Sequence, residues 1–300
     1  MADFTSNFWP WFIAVIVIGS IIGLVILIRW MTEARAPDHK PETMGHVWDE
    51  NLEEYNNPLP GWWLKLFYGT LVFAVVYFLL YPGTGIFPGL LGWTQTKQYE
   101  QEIQAAEKRY GPLFARYAQQ DLAALAQDPE AMKTAGRLFA NYCTVCHGSD
   151  ARGAPGFPNL RDDDWLYGGD PEAIKASILN GRQGVMPAWG QVLGEAGVDN
   201  VTQYVLSLSG RATDMAAAEA GRAKFQQLCT ACHGAEGKGN PALGAPDLTD
   251  RVWLYGGSPR VVAKSIREGR RGRMPAHKDF LGEARVHLLA AYVYSLSQGR

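Results

Sequence analysis

The sequence predicts a mainly α-helical chain: two membrane-spanning helices at the N-terminus, followed by two tandem copies of one small helical domain. Three observations predict this. Two apolar runs of spanning length occupy residues 8–30 and 62–81. A block of sequence recurs at an offset of 86 to 88 residues. Each copy carries one Cys-x-x-Cys-His motif, and these motifs hold all 4 cysteines of the chain.

The first apolar run, Phe8 to Ile28, covers about 21 residues; at roughly 1.5 Å per residue that is about 30 Å, the thickness of a bilayer core. A cleaved signal peptide would begin with basic residues and end at a small-residue cleavage site. Residues 1–7 contain no Lys or Arg and no such site follows, so an uncleaved helix is expected. The second run, Trp62 to Tyr81, closes on Pro82-Gly83. A buried helix of a soluble domain is its alternative reading. Trp62, Trp63 and Tyr81 at its two ends suit an interfacial aromatic belt, and Lys65 can snorkel to the headgroups. Arg29, Arg35, Lys40 and Lys65 flank the connecting segment, whereas the N-terminal tail has no basic residue. By the positive-inside rule, loop 31–61 faces the cytoplasm and both termini lie on the outer side.

Composition adds little: the chain has 300 residues, 47% hydrophobic and 19% charged, with a net charge of -2. Residues 1–82 read as the anchor, 83–128 as a connecting loop and helix, and 129–210 and 211–300 as the two repeats. In the connector, Tyr99, Ile103, Ala106 and Tyr110 share a helical face, and Gly111-Pro112 is expected to break or kink it.

Four separated points define the repeat. Cys143-Thr-Val-Cys-His147 matches Cys229-Thr-Ala-Cys-His233 at an offset of 86. Trp165-Leu-Tyr-Gly-Gly169 matches Trp253-Leu-Tyr-Gly-Gly257 at 88, as do Met186-Pro-Ala188 with Met274-Pro-Ala276, and Tyr204 to Ser209 with Tyr292 to Ser297. The boundary is expected near Gly210 to Asp214. Helices are expected before each Cys motif, over Pro171–Asn180 and Pro259–Glu268, and over Asp199–Ser209 and Ala284–Ser297.

A Cys-x-x-Cys-His motif reads as a c-type haem attachment site. Thiols of Cys143 and Cys146, and of Cys229 and Cys232, are spaced to form thioethers with the two vinyl groups of one haem. His147 and His233 then lie beneath the iron as proximal ligands. A dithiol redox motif would not need the histidine twice. A single zinc site would leave the histidines unexplained, and a disulfide framework would add little to domains of this size. Two covalently bound haem c groups are therefore expected.

Met186 lies 39 residues after His147, and Met274 lies 41 after His233. Each precedes Pro and follows a loop containing Gly and Arg, so each is read as the distal sulfur ligand. Met is more often a core filler, but Met132 and Met215 have no comparable repeated setting. His277 is the competing ligand for the second haem. With both axial positions filled, electron transfer is favoured over oxygen binding or peroxide chemistry, and Met raises the reduction potential.

The remaining signals are weaker. The Trp165 and Trp253 segments read as repeated core aromatics, with packing beside haem as the alternative. Gly19 and Gly23 form a helix-packing pattern. Residues 130–210 hold 6 basic and 9 acidic side chains, whereas 211–300 hold 14 and 8. Arg182 and Arg270 align and suit a haem propionate in each repeat. Arg267, Arg271 and Arg273 have no basic counterpart. They read either as a solvated face or as a surface steering an acidic electron donor. No catalytic residue and no nucleic-acid partner are expected.

With these residues in view, the chain resembles the CcoP/FixP subunit family of cbb3-type cytochrome c oxidases. The most specific piece is Glu53-Glu-Tyr-Asn-Asn-Pro-Leu-Pro-Gly-Trp-Trp63, and the paired Trp-Leu-Tyr-Gly-Gly and Met-Pro elements match as well. The resemblance implies two tandem class-I-like cytochrome c domains behind two transmembrane helices in a bacterial inner membrane. It implies electrons taken from donor cytochromes c and passed to a monohaem subunit and a haem–copper catalytic subunit, where oxygen is reduced. Proton pumping would belong to that last subunit. Rival readings are a cytochrome subunit of a periplasmic dehydrogenase, a free-standing tethered carrier and a haem-based gas sensor.

Overall fold

The computed structural model describes residues 6–32 and 41–298. Arg35 and Lys40, used above for topology, lie outside the described residues. The chain divides into two compact units, Met1–Lys108 and Arg109–Arg300.

The first unit contains two long apolar helices. Helix α1 spans Phe8–Met31 and α2 spans Gly61–Leu80. At roughly 1.5 Å per residue they measure about 36 and 30 Å, enough to cross a membrane by length and composition. No residue of α2 is buried; Phe73 is 69% exposed and Trp62 is 69% exposed. After α2 the chain doubles back: the Leu90 and Leu91 amides donate to the Leu79 and Leu80 carbonyls at 2.9 and 3.1 Å. The segment between the helices holds a two-stranded antiparallel hairpin, β1 Thr43–Trp48 with β2 Leu52–Tyr55. Its turn puts Asp49 and Glu50 at φ 45° and 73°. This hairpin was not anticipated from the sequence.

Helix α3 runs unbroken over Gln95–Ala118, with Pro112 inside it. The expected break at Gly111-Pro112 therefore does not occur. Pro removes one intrahelical bond, and the turns beyond it are held by packing: Leu113, Phe114 and the buried Tyr117 join a hydrophobic core.

The second unit contains α4 Leu122–Leu125, α5 Pro129–Tyr142, α6 Thr144–His147, α7 Pro171–Asn180, β3 Arg182–Met186, α8 Gly190–Leu208, α9 Met215–Leu228, α10 Thr230–His233, α11 Pro259–Glu268, β4 Arg270–Met274 and α12 Lys278–Gln298. The starts are set by capping. Asp121, Asp128, Asp170, Asp214 and Ser258 each accept a backbone N–H from the first turn of the helix that follows. Pro occupies the first turn of α5, α7 and α11, where its missing N–H costs nothing.

The packing does not follow the order of the repeats. One core joins α4, α5 and α7 to α12, the last helix of the chain. Leu122, Leu125, Ala135, Phe139, Ile174 and Ile178 bury themselves against Leu281, Val286, Leu288, Leu289 and Val293. The other core joins α9 and α11 to α8, with Val198, Val201, Val205 and Leu206 against Phe225, Val262 and Ile266. Each repeat thus ends in a helix that completes the other repeat's core. Two equivalent ring pairs record the exchange: Phe139 with Tyr292 at 5.5 Å between centroids, and Phe225 with Tyr204 at 5.0 Å. The packing units cross the sequence boundary drawn near Gly210.

The crossing is made by β3 and β4, which pair antiparallel with Gly184 opposite Gly272, Arg182 opposite Met274 and Met186 opposite Arg270. Partners in this ribbon are equivalent repeat positions reflected about the glycine pair, so it lies on a local two-fold axis relating the repeats. Neither strand was anticipated.

Candidate haem-binding site

Each core presents its Cys motif on a short helix entered from a long one. Helix α5 ends at Tyr142, and Cys143 both caps it and opens α6. Cys229 does the same between α9 and α10. The His147 and His233 amides donate back to the Cys143 and Cys229 carbonyls, each at 2.9 Å, which fixes one helical turn between the first thiol and the imidazole. The four cysteines are unbridged; Cys143 and Cys229 are half-buried, and Cys146 and Cys232 are exposed. Burial pushes the Cys143 and Cys229 thiols up to about 11, with the neighbouring Cys146 and Cys232 adding to it. Thiols held protonated in this way are poor at disulfide exchange or metal capture. Among the described residues, no group of three or more His, Cys, Asp or Glu side chains could hold a bare metal ion.

The imidazoles are oriented by backbone carbonyls. His147 Nδ1 lies 3.1 Å from the Pro158 carbonyl, and His233 Nδ1 lies 3.2 Å from that of Pro246. A carbonyl can only accept, so each Nδ1 carries the proton and each Nε2 keeps its lone pair. Burial holds both rings below the ordinary histidine range despite these bonds. A neutral imidazole with a fixed tautomer suits an iron ligand. Sequence reasoning missed Pro158 and Pro246, although they are equivalent repeat positions.

Each methionine packs on the core of the other repeat. Met274 packs on the first core together with Cys143, and Met186 packs on the second together with Cys229. Gly181 and Gly269 allow this. Their φ values are 71° and 74°, and a Cβ on Gly181 would lie 2.4 Å from the Met274 carbonyl, as one on Gly269 would from that of Met186. Met132 belongs to the first core and Met215 is exposed. His277 lies on the first core side, where its amide donates to the Ile178 carbonyl at 3.1 Å.

The repeated Trp-Leu-Tyr-Gly-Gly segments pack inward. Trp165 joins the first core and Trp253 the second. A Cβ on Gly169 would meet Trp165 Cδ1 at 2.3 Å, and one on Gly257 would meet Trp253 Cδ1 at 2.7 Å, so the second glycine of each segment makes room for the indole. Tyr167 carries the Arg182 guanidinium over its ring at 4.6 Å, and Tyr255 carries that of Arg270 at 4.4 Å. The Nε of each arginine donates to a serine hydroxyl, Ser177 at 2.9 Å and Ser265 at 2.8 Å. Arg267 forms a two-point ion pair with Glu195, at 3.1 and 2.7 Å. Arg271 and Arg273 project outward from β4.

Two buried polar atoms among the described residues have no protein partner: Trp253 Nε1 and His277 Nδ1. An indole N–H only donates. Its burial beside the core that holds Cys229 and Met186 fits a bound group that brings an acceptor, such as a haem carboxylate.

Two family models match the chain. The N-terminal domain of cytochrome oxidase-cbb3, FixP, matches residues 40–88, and cytochrome c oxidase, cbb3-type, subunit III matches 130–205 and 216–293. The cbb3-type cytochrome c oxidase subunit CcoP of Rubrivivax gelatinosus is 46% identical over 301 residues, covering 99% of this chain and 98% of its own. The subunit FixP of Azorhizobium caulinodans is 40% identical over 277 residues, covering 87% and 94%. The subunit CcoP of Cereibacter sphaeroides is 38% identical over 279 residues, covering 87% and 96%.

The contact between the repeats also titrates. Burial and the hydrogen-bonded Asp250 carboxyl push the Asp164 carboxyl up to about 6 from an ordinary 3.8, with Asp162 and Asp247 adding to the same field. A raised folded-state value favours the protonated form. The stabilising contribution is full below about 3.8 and is lost as pH rises through about 6. Thermal unfolding of Asp164→Asn should show a smaller fall in stability over that interval than the parent chain. Equal slopes would contradict this reading.

With both family models and these full-length relatives in agreement, the chain belongs to the cbb3-type cytochrome c oxidase subunit III family, the CcoP/FixP subunits.

Proposed function

We propose that this chain conducts electrons as a subunit of a membrane-bound cbb3-type oxidase and carries two covalently attached haem c groups. The observation that carries this is the paired placement, in two equivalent cores, of two thiols, an imidazole with its Nδ1 proton tied to a carbonyl, and a thioether sulfur. Cys143, Cys146, Cys229 and Cys232 are the attachment points. His147 and His233 are the proximal ligands, and Met186 and Met274 the sulfur ligands. The haem iron supplies one-electron chemistry at a potential raised by the sulfur ligand. The protein's part is to hold the imidazole neutral, fill the second axial position and keep water out. With a sulfur as well as an imidazole available to each iron, electron transfer is favoured over oxygen chemistry, and oxygen reduction is assigned to a different subunit.

In this reading α1 and α2 both cross the inner membrane, loop 31–61 faces the cytoplasm and the haem cores lie in the periplasm. Electrons arrive from a donor cytochrome c. They leave to a monohaem subunit and then to the haem–copper subunit. Trp253 donates its buried N–H to a propionate. Arg182 and Arg270 are anchored by Tyr167 and Tyr255 with their charge available to the same kind of carboxylate.

Purification in mild detergent tests the assignment. The chain should keep haem through denaturing electrophoresis, show a mass increased by two porphyrins, and co-purify with a protein containing haem b and copper. A mass without two porphyrins, or isolation without that partner, would contradict it.

Arg271 and Arg273 form the donor-facing surface, since Arg267 is committed to Glu195. Neutralising both as Arg271→Gln and Arg273→Gln should lower the reduction rate by an acidic donor at low salt and flatten its salt dependence. A rate and salt response unchanged in the double variant would remove this surface from the account.

A further inference from the structure

We propose that the exposed stripe of Tyr99, Ile103, Ala106 and Tyr110 on α3 is a docking seam for an amphipathic helix of another oxidase subunit, one whose own apolar stripe is edged by Lys and Arg. This rests on the oxidase reading above for the existence of that subunit. It adds the face that meets it and the chemistry that recognises it.

The stripe is one end of a longer pattern. Tyr99, Ile103, Ala106, Tyr110, Leu113 and Tyr117 follow one another in alternate steps of four and three. That spacing keeps a seam turned toward a second helix. Its C-terminal end is already in use: Leu113 packs on the first core, and Tyr117 is 2% exposed there. The same unbroken helix carries the pattern N-terminally beyond that packing. Tyr99 is 63% exposed, Ile103 51% and Tyr110 45%, and Ala106 is exposed as well. At about 1.5 Å per residue the uncovered seam is roughly 17 Å long, about three turns of helix. Tyrosine is enriched at the centres of protein interfaces, and the positions between these apolar residues are mostly Glu, Gln and Lys.

Charge selects the occupant. At about 100° per residue, Glu102 and Glu107 lie roughly 70° to either side of the seam and Glu100 roughly 90° from it, whereas Lys97 and Lys108 lie on the far side of the helix. Arg109, also beside the seam, has its guanidinium 5.3 Å from the centre of the Tyr110 ring. Acids along the edges of a helical seam select bases along the edges of the helix that packs on it. A second copy of this chain would bring the same three glutamates to the same edges. A helix lying on a lipid surface carries Lys and Arg on its polar face, and here the charges nearest the apolar face are mainly Glu. A partner helix with basic edges meets neither objection.

The test uses the full chain within the detergent-purified complex. A benzophenone amino acid replacing Ile103 should cross-link to another subunit, and peptide mass spectrometry should place the bond on a helix with Lys or Arg beside an apolar stripe. The same probe replacing Gln101 should give about tenfold less product, since that position faces away from the seam. Reversing the edge charges with Glu100→Lys, Glu102→Lys and Glu107→Lys should lower the Ile103 yield about tenfold, the effect of a few ion pairs turned repulsive. Added salt should lower the yield of the parent chain in the same direction without any substitution. Cross-linking to a second copy or only to lipid, equal or absent product from Ile103 and Gln101, or a yield indifferent to both charge reversal and salt overturns the proposal. Absence of a haem b and copper protein from the preparation would instead be a failure of the oxidase reading.

Discussion

At Gly184 and Gly272 two strands pass one another antiparallel, and the arrangement of everything beyond them depends on that passage. Upstream of it, each repeat has its Cys motif, its proline-started helix and its Trp-Leu-Tyr-Gly-Gly segment on its own core. Downstream, each has its methionine and its last helix on the other. Glycine at the centre leaves room for two tyrosine hydroxyls: a Cβ added to Gly184 would lie 3.2 Å from that of Tyr167, and one added to Gly272 would lie 3.6 Å from that of Tyr255. Exchange of equivalent elements is inexpensive when the cores are homologous, because each helix finds nearly the surface it would have met at home. The balance then shifts to contacts that exist only in the exchanged form. Here those are the ribbon hydrogen bonds and the reciprocal packing of Tyr167 and Tyr255 on Gly244 and Gly156.

Within one chain the exchange carries none of the concentration dependence of a swapped dimer. It also changes the mechanical character of the pair. Two domains joined by a flexible linker would sample many separations, whereas these two cores share their closing helices within one compact unit. For a chain whose role is to pass electrons between fixed sites, that is a functional property as well as a topological one. The connecting helix contributes to the same body: Phe114 and Tyr117 of α3 pack on the first core, the Arg285 guanidinium lies 4.8 Å over the Phe114 ring, and His287 Nε2 donates to the Gln120 carbonyl at 2.9 Å.

Much of this was legible in the sequence. The apolar runs marked α1 and α2, the 86- and 88-residue offsets marked the duplication, and the Cys-x-x-Cys-His motifs marked the candidate sites. The pairing was not legible, for a physical reason. Duplicated segments are interchangeable in pattern, so a motif that would set Met186 on the core of Cys143 would set Met274 there equally well. The choice is made by residues 181–189 and 269–277, whose strands are short and glycine-centred and give no alternating signal. The hairpin of β1 and β2 was hidden similarly: its turn uses Asp49 and Glu50 at positive φ instead of the usual glycine. Pro112 misled in the opposite direction, since Leu113, Phe114 and Tyr117 hold a helix that local propensity would end. Arg267 read as part of a solvated or donor-steering face because Glu195, its partner, lies 72 residues away.

The most direct measurement of the central claim is residue-resolved hydrogen exchange on Leu289→Ala. Leu289 is fully buried in α12, late in the second repeat, yet its neighbours belong to the first core. Truncation should remove about 2–5 kcal/mol locally. The account predicts lost protection in helices α5 and α7, with α9 and α11 little changed. Loss of protection in α9 and α11 instead would show that each repeat closes on its own last helix, and would contradict the account.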